Sequence, residues 1–390
     1  MSILNEWYGE FVSQNSGQGK LNGAECSFEI GQMMNATIML FCSVDIGSAQ
    51  ESEEAEIELV GIAEDGIPIL AKGNVSAGGT TLSKGRLYIA RGPFEVTVGD
   101  ADWARTHEIR FAVTNFLFCN SVGRTGALVN NQRRLAVTLE GTDVSFEKTP
   151  QYEAVWSDVA LGQSSEITCE LIVKKGKQTR KEIHRLSYAI CDLLTIGAGR
   201  IINWICYEAR DHNGSTVYTY QQNRYTNRKA GSELVDFSNP RTVADFLEQC
   251  YPAYQQYNAR HPGMLHNIGR LMMDVSSPIF KVTSSVILFS IVDALSKRDS
   301  TEDEFRMRLV NLRTMHKICL DDSEIDGIVK SRNSLVHELR FHTSNGMAEY
   351  YSNWNVLRRI LLSILDYKSE YYELTQRERM LRKTTLLRCT

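Results

Sequence analysis

The feature that most constrains the fold is a change in the spacing of apolar residues near Pro240. Before it, short runs in which apolar and polar residues alternate are separated by Gly, Asn, Asp and Ser, a pattern typical of antiparallel strands joined by tight turns. After it, apolar residues recur every three or four positions, the period of helices that bury one face. We therefore predict an α+β protein, with an antiparallel β-rich amino-terminal region followed by an all-α helical bundle.

Individual elements follow from the same patterns. The strands predicted in the first part are 37–44, 56–62, 86–90, 109–116, 135–139, 166–173, 201–209 and 216–221. A helix at 179–196 lies among them, ended by Gly197 and Gly199. The helices predicted in the second part are 241–258, 278–297, 302–320, 323–340 and 348–384. We infer a β-sandwich-like domain at 1–160, a mixed α/β extension at 161–240 and a helical domain at 241–390.

Charge and cysteine content narrow the functional classes. Lys and Arg number 43 against 47 Asp and Glu, which gives a net charge of -4. The whole chain therefore has no positive field that would attract nucleic acid from a distance, and any contact with RNA must depend on a local group of cations. The nine cysteines are scattered without a C-x-x-C pair, which favours reduced thiols in the cytoplasm. No histidines fall at metal-ligand spacing, so we expect no metal and no cofactor. The most apolar stretch, 282–295, is too short for a membrane span.

The predicted helix at 323–340 carries the most informative residue. Ser323 and Asp326 have the spacing of a capping box, which predicts the start of the helix. Six apolar residues then follow one helical stripe: Ile325, Ile328, Val329, Leu335, Val336 and Leu339. Arg332 falls in the middle of this stripe. Because a buried arginine stays protonated, we expect an anion or several acceptors to meet it.

The neighbours of Arg332 suggest a chemistry. Asn333 and His337 are four positions apart and share one flank of the helix, while His337 lies roughly 140° around the axis from Arg332. A histidine transfers protons near neutral pH, because its unperturbed pKa is about 6.5. An arginine fork can hold a phosphate and stabilise the charge that grows on its oxygens. Together they could support attack of a ribose 2'-OH on the neighbouring phosphate of RNA.

The segment Arg332-Asn-Ser-Leu-Val-His337 resembles the R-N-x-x-x-H form of the HEPN motif, found in ribonucleases of prokaryotic toxin and anti-phage systems. The apolar helices predicted before it are similar to those that precede the motif in that family. A β-rich half ahead of such a domain resembles the ApeA-type abortive-infection proteins. The resemblance implies a metal-independent endoribonuclease that acts as a homodimer on RNA such as tRNA. It also implies that a phage-derived trigger activates the enzyme. It also assigns Asp293 as an acidic residue of the site.

Further cations could contact RNA. The predicted RNA-binding residues are Lys174, Lys175, Lys177 and Arg180, around the turn that leads into the helix at 179–196, and Arg340 after the motif. The alternative for the turn is a solvated charged loop. For Arg332 and His337 the alternative is a structural ion pair and an ordinary histidine. On that reading the chain is a non-enzymatic ligand- or protein-binding sensor whose helical bundle serves only dimerisation.

Overall fold

The computed structural model describes residues 11–33, 37–43, 54–82, 85–118, 120–122, 128–222, 231–275, 281–374 and 381–385. Antiparallel strands dominate the part before residue 223, and helices dominate the part after residue 239. The predicted α+β class is therefore confirmed. In the part that the structure describes, no helix combines the length and the apolar character that a membrane span needs.

The chain forms two compact units that are not continuous in sequence. Unit 1 comprises residues 1–115, 142–187 and 203–228. Unit 2 comprises residues 116–141, 188–202 and 229–390. The domains predicted with limits at 160 and 240 are each one continuous segment of the chain. Each observed unit instead consists of three separate segments.

Unit 1 is built on an extended antiparallel sheet. Its strands are β1 (Ser13–Leu21), β2 (Ala24–Gln32), β3 (Ile38–Cys42), β4 (Glu54–Ala63), β5 (Pro68–Leu82), β6 (Gly85–Gly99), β7 (Glu108–Thr114), β11 (Thr142–Lys148), β12 (Ile167–Lys174), β13 (Asn203–Arg210) and β14 (Thr216–Gln222). Their order in the sheet is β11-β12-β7-β13-β14-β6-β3-β2-β1-β4-β5. One helix, α1 (Tyr152–Ala160), also belongs to this unit.

Strands β1 to β6 close on themselves, because β5 pairs with β4 on one edge and with β6 on the other. The alternating residues of these strands that point inwards form one apolar core. Its larger members include Phe28, Ile30, Leu40, Ile57, Leu59, Tyr88, Phe94 and Val96. The apolar residues whose alternation predicts strands in the sequence thus lie on the inner face of this ring of strands.

The β4–β5 and β13–β14 hairpin turns are stabilised by residues within the turn itself, so the local sequence is enough to predict them. Gly66, which closes the β4–β5 turn, has a φ of 83°, a left-handed conformation that favours glycine. In the β13–β14 turn the Asp211 side chain accepts from the backbone N–H groups of Asn213 and Ser215, and Gly214 has a φ of 79°. Both turns therefore depend on residues within a few positions of one another.

Helix α2 (Arg180–Ala198) begins in unit 1 and ends in unit 2. The remaining described helices belong to unit 2: α3 (Pro240–Arg260), α4 (Met264–Val275), α5 (Lys281–Arg298), α6 (Phe305–His316), α7 (Asp322–Glu338) and α8 (Gly346–Ile364). Helix α5 packs against α4, α6, α7 and α8, and α6 also packs against α7 and α8. Unit 2 also contains the short strands β8 (Asn120–Val122), β9 (Leu128–Asn131), β10 (Arg134–Leu139), β15 (Glu370–Leu374) and β16 (Leu381–Thr385).

Two helix predictions differ from the structure. Helix α4 was not predicted; a short turn that includes Gly263, with a φ of 74°, separates it from α3. The helix predicted at 348–384 ends at Ile364. There Asp366 takes a φ of 57° and the chain turns into β15, which pairs with β16. The helix prediction was therefore wrong beyond Ile364.

Candidate active site

Helix α7 carries the motif and is bounded by specific caps. The Asp321 side chain accepts from the Glu324 N–H at 2.8 Å, and the Glu324 carboxylate accepts from the Asp321 N–H at 3.1 Å. The predicted Ser323–Asp326 cap is therefore wrong by two positions. Asp326 instead forms an ion pair of 2.7 Å with Arg306 of α6. The helix ends where Leu339 adopts a left-handed φ of 53°.

The buried face of α7 differs from the predicted stripe. Its buried residues are Ile325, Ile328, Ser331 and Leu335. Val336 and Leu339, which were expected in the stripe, are 50% and 74% exposed. The helix ends at Glu338, so Val336 lies in its last turn and Leu339 lies beyond it. Arg332 is half-buried, so the prediction of an arginine on a buried face is corrected.

The Arg332 guanidinium rests on an aromatic ring. Its carbon lies 4.8 Å from the centroid of Phe305, the first residue of α6, and one nitrogen donates to the Asn333 side-chain oxygen at 3.4 Å. Among the described residues, no carboxylate lies within ion-pair distance of Arg332. Most of its five donors are therefore available to an anion from outside.

The other arginines of α6, α7 and α8 are all engaged. Arg306 and Arg313 pair with Asp326 and Asp322, and Arg359 pairs with Glu324 at 2.5 Å. Arg308 pairs with a carboxylate of α5, and Arg358 donates to backbone carbonyls. The three acidic residues in the first turns of α7 thus each form an ion pair with an arginine of a neighbouring helix. Arg332 forms no ion pair with any residue that the structure describes.

His337 and Asn333 are both exposed. No described residue forms a hydrogen bond or an ion pair with His337, so its ring can reach a bound ligand. The following loop adds a second histidine: His342 lies 3.4 Å from Ser334 of α7 through Nδ1 and the hydroxyl. Glu349 holds that loop by accepting from the His342 and Thr343 N–H groups at 3.1 and 2.7 Å.

Asp293, the acidic residue that the resemblance assigns to the site, lies on α5. Its carboxylate pairs with buried Arg308 at 2.5 Å and with Lys297 at 2.7 Å. Burial alone would raise the pKa of Asp293, but these two cations outweigh it and hold the pKa below its ordinary value. The Arg308 guanidinium lies 5.7 Å from the Phe305 centroid, so Phe305 contacts both Arg308 and Arg332.

Phe305 and His342 were not recognised in the sequence. Phe305 begins α6, and its ring supports the guanidiniums of two arginines that come from α6 itself and from α7. No local pattern distinguishes such a phenylalanine from an ordinary core residue. His342 follows the motif by five residues and could have been considered as a neighbour in the same loop.

The predicted RNA-binding cations have different environments. Lys174 and Lys177 are exposed, whereas Lys175 donates to the carbonyls of Trp103 and Thr106 at 2.8 and 3.2 Å. Arg180 lies 4.7 Å from the centroid of Tyr220. These four residues belong to unit 1.

The start of α2 already has an anionic partner. The Glu182 carboxylate accepts from the Thr179 N–H at 2.7 Å and from its hydroxyl at 2.9 Å. This partner occupies part of the phosphate-binding position that was predicted for the start of the helix. In unit 2, Arg340 pairs with Glu338 and is exposed. Lys174 and Lys177 are therefore the predicted contacts that are exposed and form no ion pair with a described residue.

Comparison with known proteins adds no relative. No protein-family model matches the chain, and no match was found among curated proteins or among solved structures. Within the described residues, no group of three or more His, Cys, Asp and Glu side chains is arranged to hold a metal ion.

Proposed function

We propose that the chain is a HEPN-type endoribonuclease that cleaves RNA by 2'-OH transesterification, with Arg332 and His337 as its reacting groups. The observation that carries the proposal is the state of Arg332. It is the one arginine of the described α6, α7 and α8 with neither a carboxylate nor a backbone carbonyl as partner. On the same helix, five residues later, stands an exposed histidine.

The chemistry divides between the two side chains. When O2' attacks phosphorus, its proton must leave and the departing O5' must gain one, while charge grows on the non-bridging oxygens. A neutral histidine can take the first proton and an imidazolium can supply the second, and His337 is the proposed source of both. Arg332 can donate two parallel hydrogen bonds to the non-bridging oxygens. The products would be a 2',3'-cyclic phosphate and a free 5'-OH.

One histidine cannot act as base and acid in the same instant, which is why we propose a homodimer. The HEPN resemblance implies that two motif helices face each other, so that each active site draws on two histidines. The exposed Val336 and Leu339 flank His337 in the same turn and support an interface at the end of α7. Asn333 would orient the phosphate, and Asp293 would act through Arg308 and Phe305 rather than on the substrate.

We propose that unit 1 acts as a sensor or regulator of the ribonuclease and that the protein serves in anti-phage defence. Both proposals rest on the resemblance to ApeA-type proteins, in which a β-rich region precedes the HEPN domain. An exposed apolar patch on β4 and β5 supports a protein contact there. Val60 and Ile62 are 54% and 59% exposed, and Leu70, which pairs with Val60 across the strands, is 41% exposed. Patches of this kind mark interaction surfaces more often than singly exposed residues do. A phage-derived protein is the trigger that we propose.

The test is RNA cleavage in excess EDTA by the full chain, with total RNA and tRNA as substrates. RNA from expressing cells, with and without phage infection, records an activity that needs a trigger. We expect fragments with 2',3'-cyclic phosphate ends, absent with His337→Ala and Arg332→Ala and unchanged with Lys330→Ala, an exposed control on α7.

Stability separates the proposal from the binding-protein alternative. Arg332→Ala should lower the free energy of unfolding by only about 0.5–1 kcal/mol, because its partly exposed contact with Phe305 is worth no more. Cleavage that persists at wild-type rate in both site variants would refute the assignment. So would a chain that cuts no RNA in either assay.

A further inference from the structure

Unit 2 has an open pocket of about 790 Å³ that does not involve α7. Its lining comes from the end of α3, from the end of α5 with the loop that follows, and from α6. The ionisable residues of the lining are Arg260, His261, Lys297, Arg298 and Asp299. Hydroxyl and amide side chains make up most of the rest, so the pocket offers hydrogen-bond donors on several sides.

The one carboxylate of the lining is turned inwards. The Asp299 side chain is 3% exposed, and its oxygens lie 2.9 Å from His316 Nε2 and 3.6 Å from His261 Nε2. The ring of His261 packs against Tyr257 at 4.8 Å between centroids. Burial alone would raise the pKa of Asp299, but the hydrogen bond from His316 and the nearby cations outweigh it, so the pKa lies below its ordinary value. Asp299 thus holds the histidines in place and offers little charge to the opening.

The cations of the lining face solvent. Arg260 and Arg298 are exposed, and among the described residues neither has a carboxylate within ion-pair distance. Lys297 pairs with Asp293 but is 60% exposed. The three cations at this concave surface create a local positive potential, although the whole chain has a net charge of -4. Two guanidinium forks at one opening match the oxygens of a phosphoryl group.

We infer that this pocket binds a phosphoryl group through Arg260 and Arg298, with His261 and Lys297 at its edge. The site lies outside the proposed cleavage machinery, since none of its lining residues belongs to α7. The phosphoryl group can come from a free nucleotide or from the backbone of RNA. In the first case the pocket is an effector site, and in the second it extends the surface that holds the substrate.

A purely structural account of the same residues makes a different prediction. Arg260 and Arg298 each end a helix, where a cation offsets the partial negative charge of the last carbonyls. If that were their whole role, removing them would lower stability and leave the binding of ligands unchanged.

The experiment is calorimetric titration of the full chain carrying His337→Ala, which keeps RNA intact on the proposed mechanism, with ATP and with a uridine decamer. The double variant Arg260→Gln/Arg298→Gln is compared with Arg241→Gln, which removes one charge from the start of α3, where the side chain is 88% exposed. We expect binding of at least one ligand, weakened about tenfold or more per arginine removed. Arg241→Gln should bind like the parent.

The two ligands distinguish the sources. Binding of ATP that the double variant loses assigns a nucleotide site, and loss confined to the decamer assigns an RNA-backbone site. The inference is overturned if neither ligand binds, or if the double variant binds both as the parent does. Because no cleavage is measured, these outcomes are independent of whether Arg332 and His337 cut RNA.

Discussion

At the scale of single residues, burial separates the arginines of the bundle into two kinds. Arg358 is fully buried and donates to the carbonyls of Glu233 and Tyr372 at 3.0 and 2.5 Å, and burial lowers its pKa to about 10. Arg308 is 6% exposed and pairs with Asp293. Both hold the fold together. Arg332 has no such partner among the described side chains, and this difference favours a role in binding.

The Asp293–Arg308 pair gives a prediction about pH. Asp293→Ala leaves a buried guanidinium without its carboxylate, so we expect a loss of about 3 kcal/mol in the free energy of unfolding at pH 7. The folded pKa of Asp293 lies below the unfolded value of about 3.9. The carboxylate therefore stabilises the protein above that pH, and this contribution is lost as pH falls through the folded pKa.

Urea unfolding at pH 7, 5, 4 and 3 measures this effect. The difference between wild type and Asp293→Ala should stay constant down to about pH 4 and shrink below it. Asp303→Ala, which removes an exposed carboxylate nearby, is the matched control and should differ little from wild type at any pH. A difference that grows on acidification would contradict the ion pair.

At the scale of elements, α7 is positioned by its first turn. Glu324 completes the capping box with Asp321 and also accepts from both terminal nitrogens of Arg359, at 2.5 and 3.3 Å. One carboxylate thus sets where α7 begins and ties it to α8. The start of the helix sets which face carries Arg332, so the cap acts on the site from eleven residues away.

Two substitutions separate the observed cap from the predicted one. Asp321→Ala should cost about 1 kcal/mol of stability, because the Glu324 N–H at the start of α7 loses its side-chain acceptor. Ser323→Ala should cost less, since its hydroxyl only donates to Asp321 at 2.6 Å on the surface. Chemical denaturation of both variants gives the comparison, and the reverse order would restore the Ser323 cap.

At the scale of the whole molecule, unit 2 depends on segments far apart in sequence. Helix α3 packs on β10, and the Thr138 N–H donates to Glu248 at 3.4 Å. Asp192, in the second half of α2, accepts from the Tyr254 hydroxyl at 2.6 Å and lies 2.7 Å from His266 Nδ1. A fragment that begins at residue 241 would lack these partners.

We therefore predict that the fragment 241–390 is much less stable than the same residues in the full chain. Without Asp192 and β10, the surfaces of α3 and α4 that contact them would be exposed to water. Thermal unfolding followed by circular dichroism should show a lower or less cooperative transition for the fragment. A transition as cooperative as that of the full chain would show that the other segments contribute little.

The proposed dimer gives a prediction about assembly. Val336→Asp places a charge in the exposed apolar turn beside His337 and should reduce both the dimer fraction and cleavage. Light scattering should report twice the 44.1 kDa chain mass for wild type and a lower mass for the variant. Val60→Asp, at a similarly exposed valine of unit 1, should not change the mass. Val336→Asp with unchanged mass and activity would place the interface elsewhere.

The sequence by itself determined the features that depend on neighbours along the chain. The change of apolar period near Pro240, the glycines of the hairpin turns and the spacing of Arg332 and His337 can all be read within a few residues. The limits of β13, β14, α3 and α5 were predicted to within a few positions for this reason. The R-N-x-x-x-H pattern can likewise be read directly from the sequence.

Only the tertiary structure decided which side chains are buried and which groups they meet. Arg358 reaches a carbonyl 125 positions away, and Asp192 meets a hydroxyl 62 positions away. Such partners leave no period in the sequence, so the half-burial of Arg332, the pairing of Asp293 with Arg308 and the pocket around Asp299 could not be predicted. Apolar spacing specifies that a face is buried, whereas the partner of each charge depends on how distant segments pack.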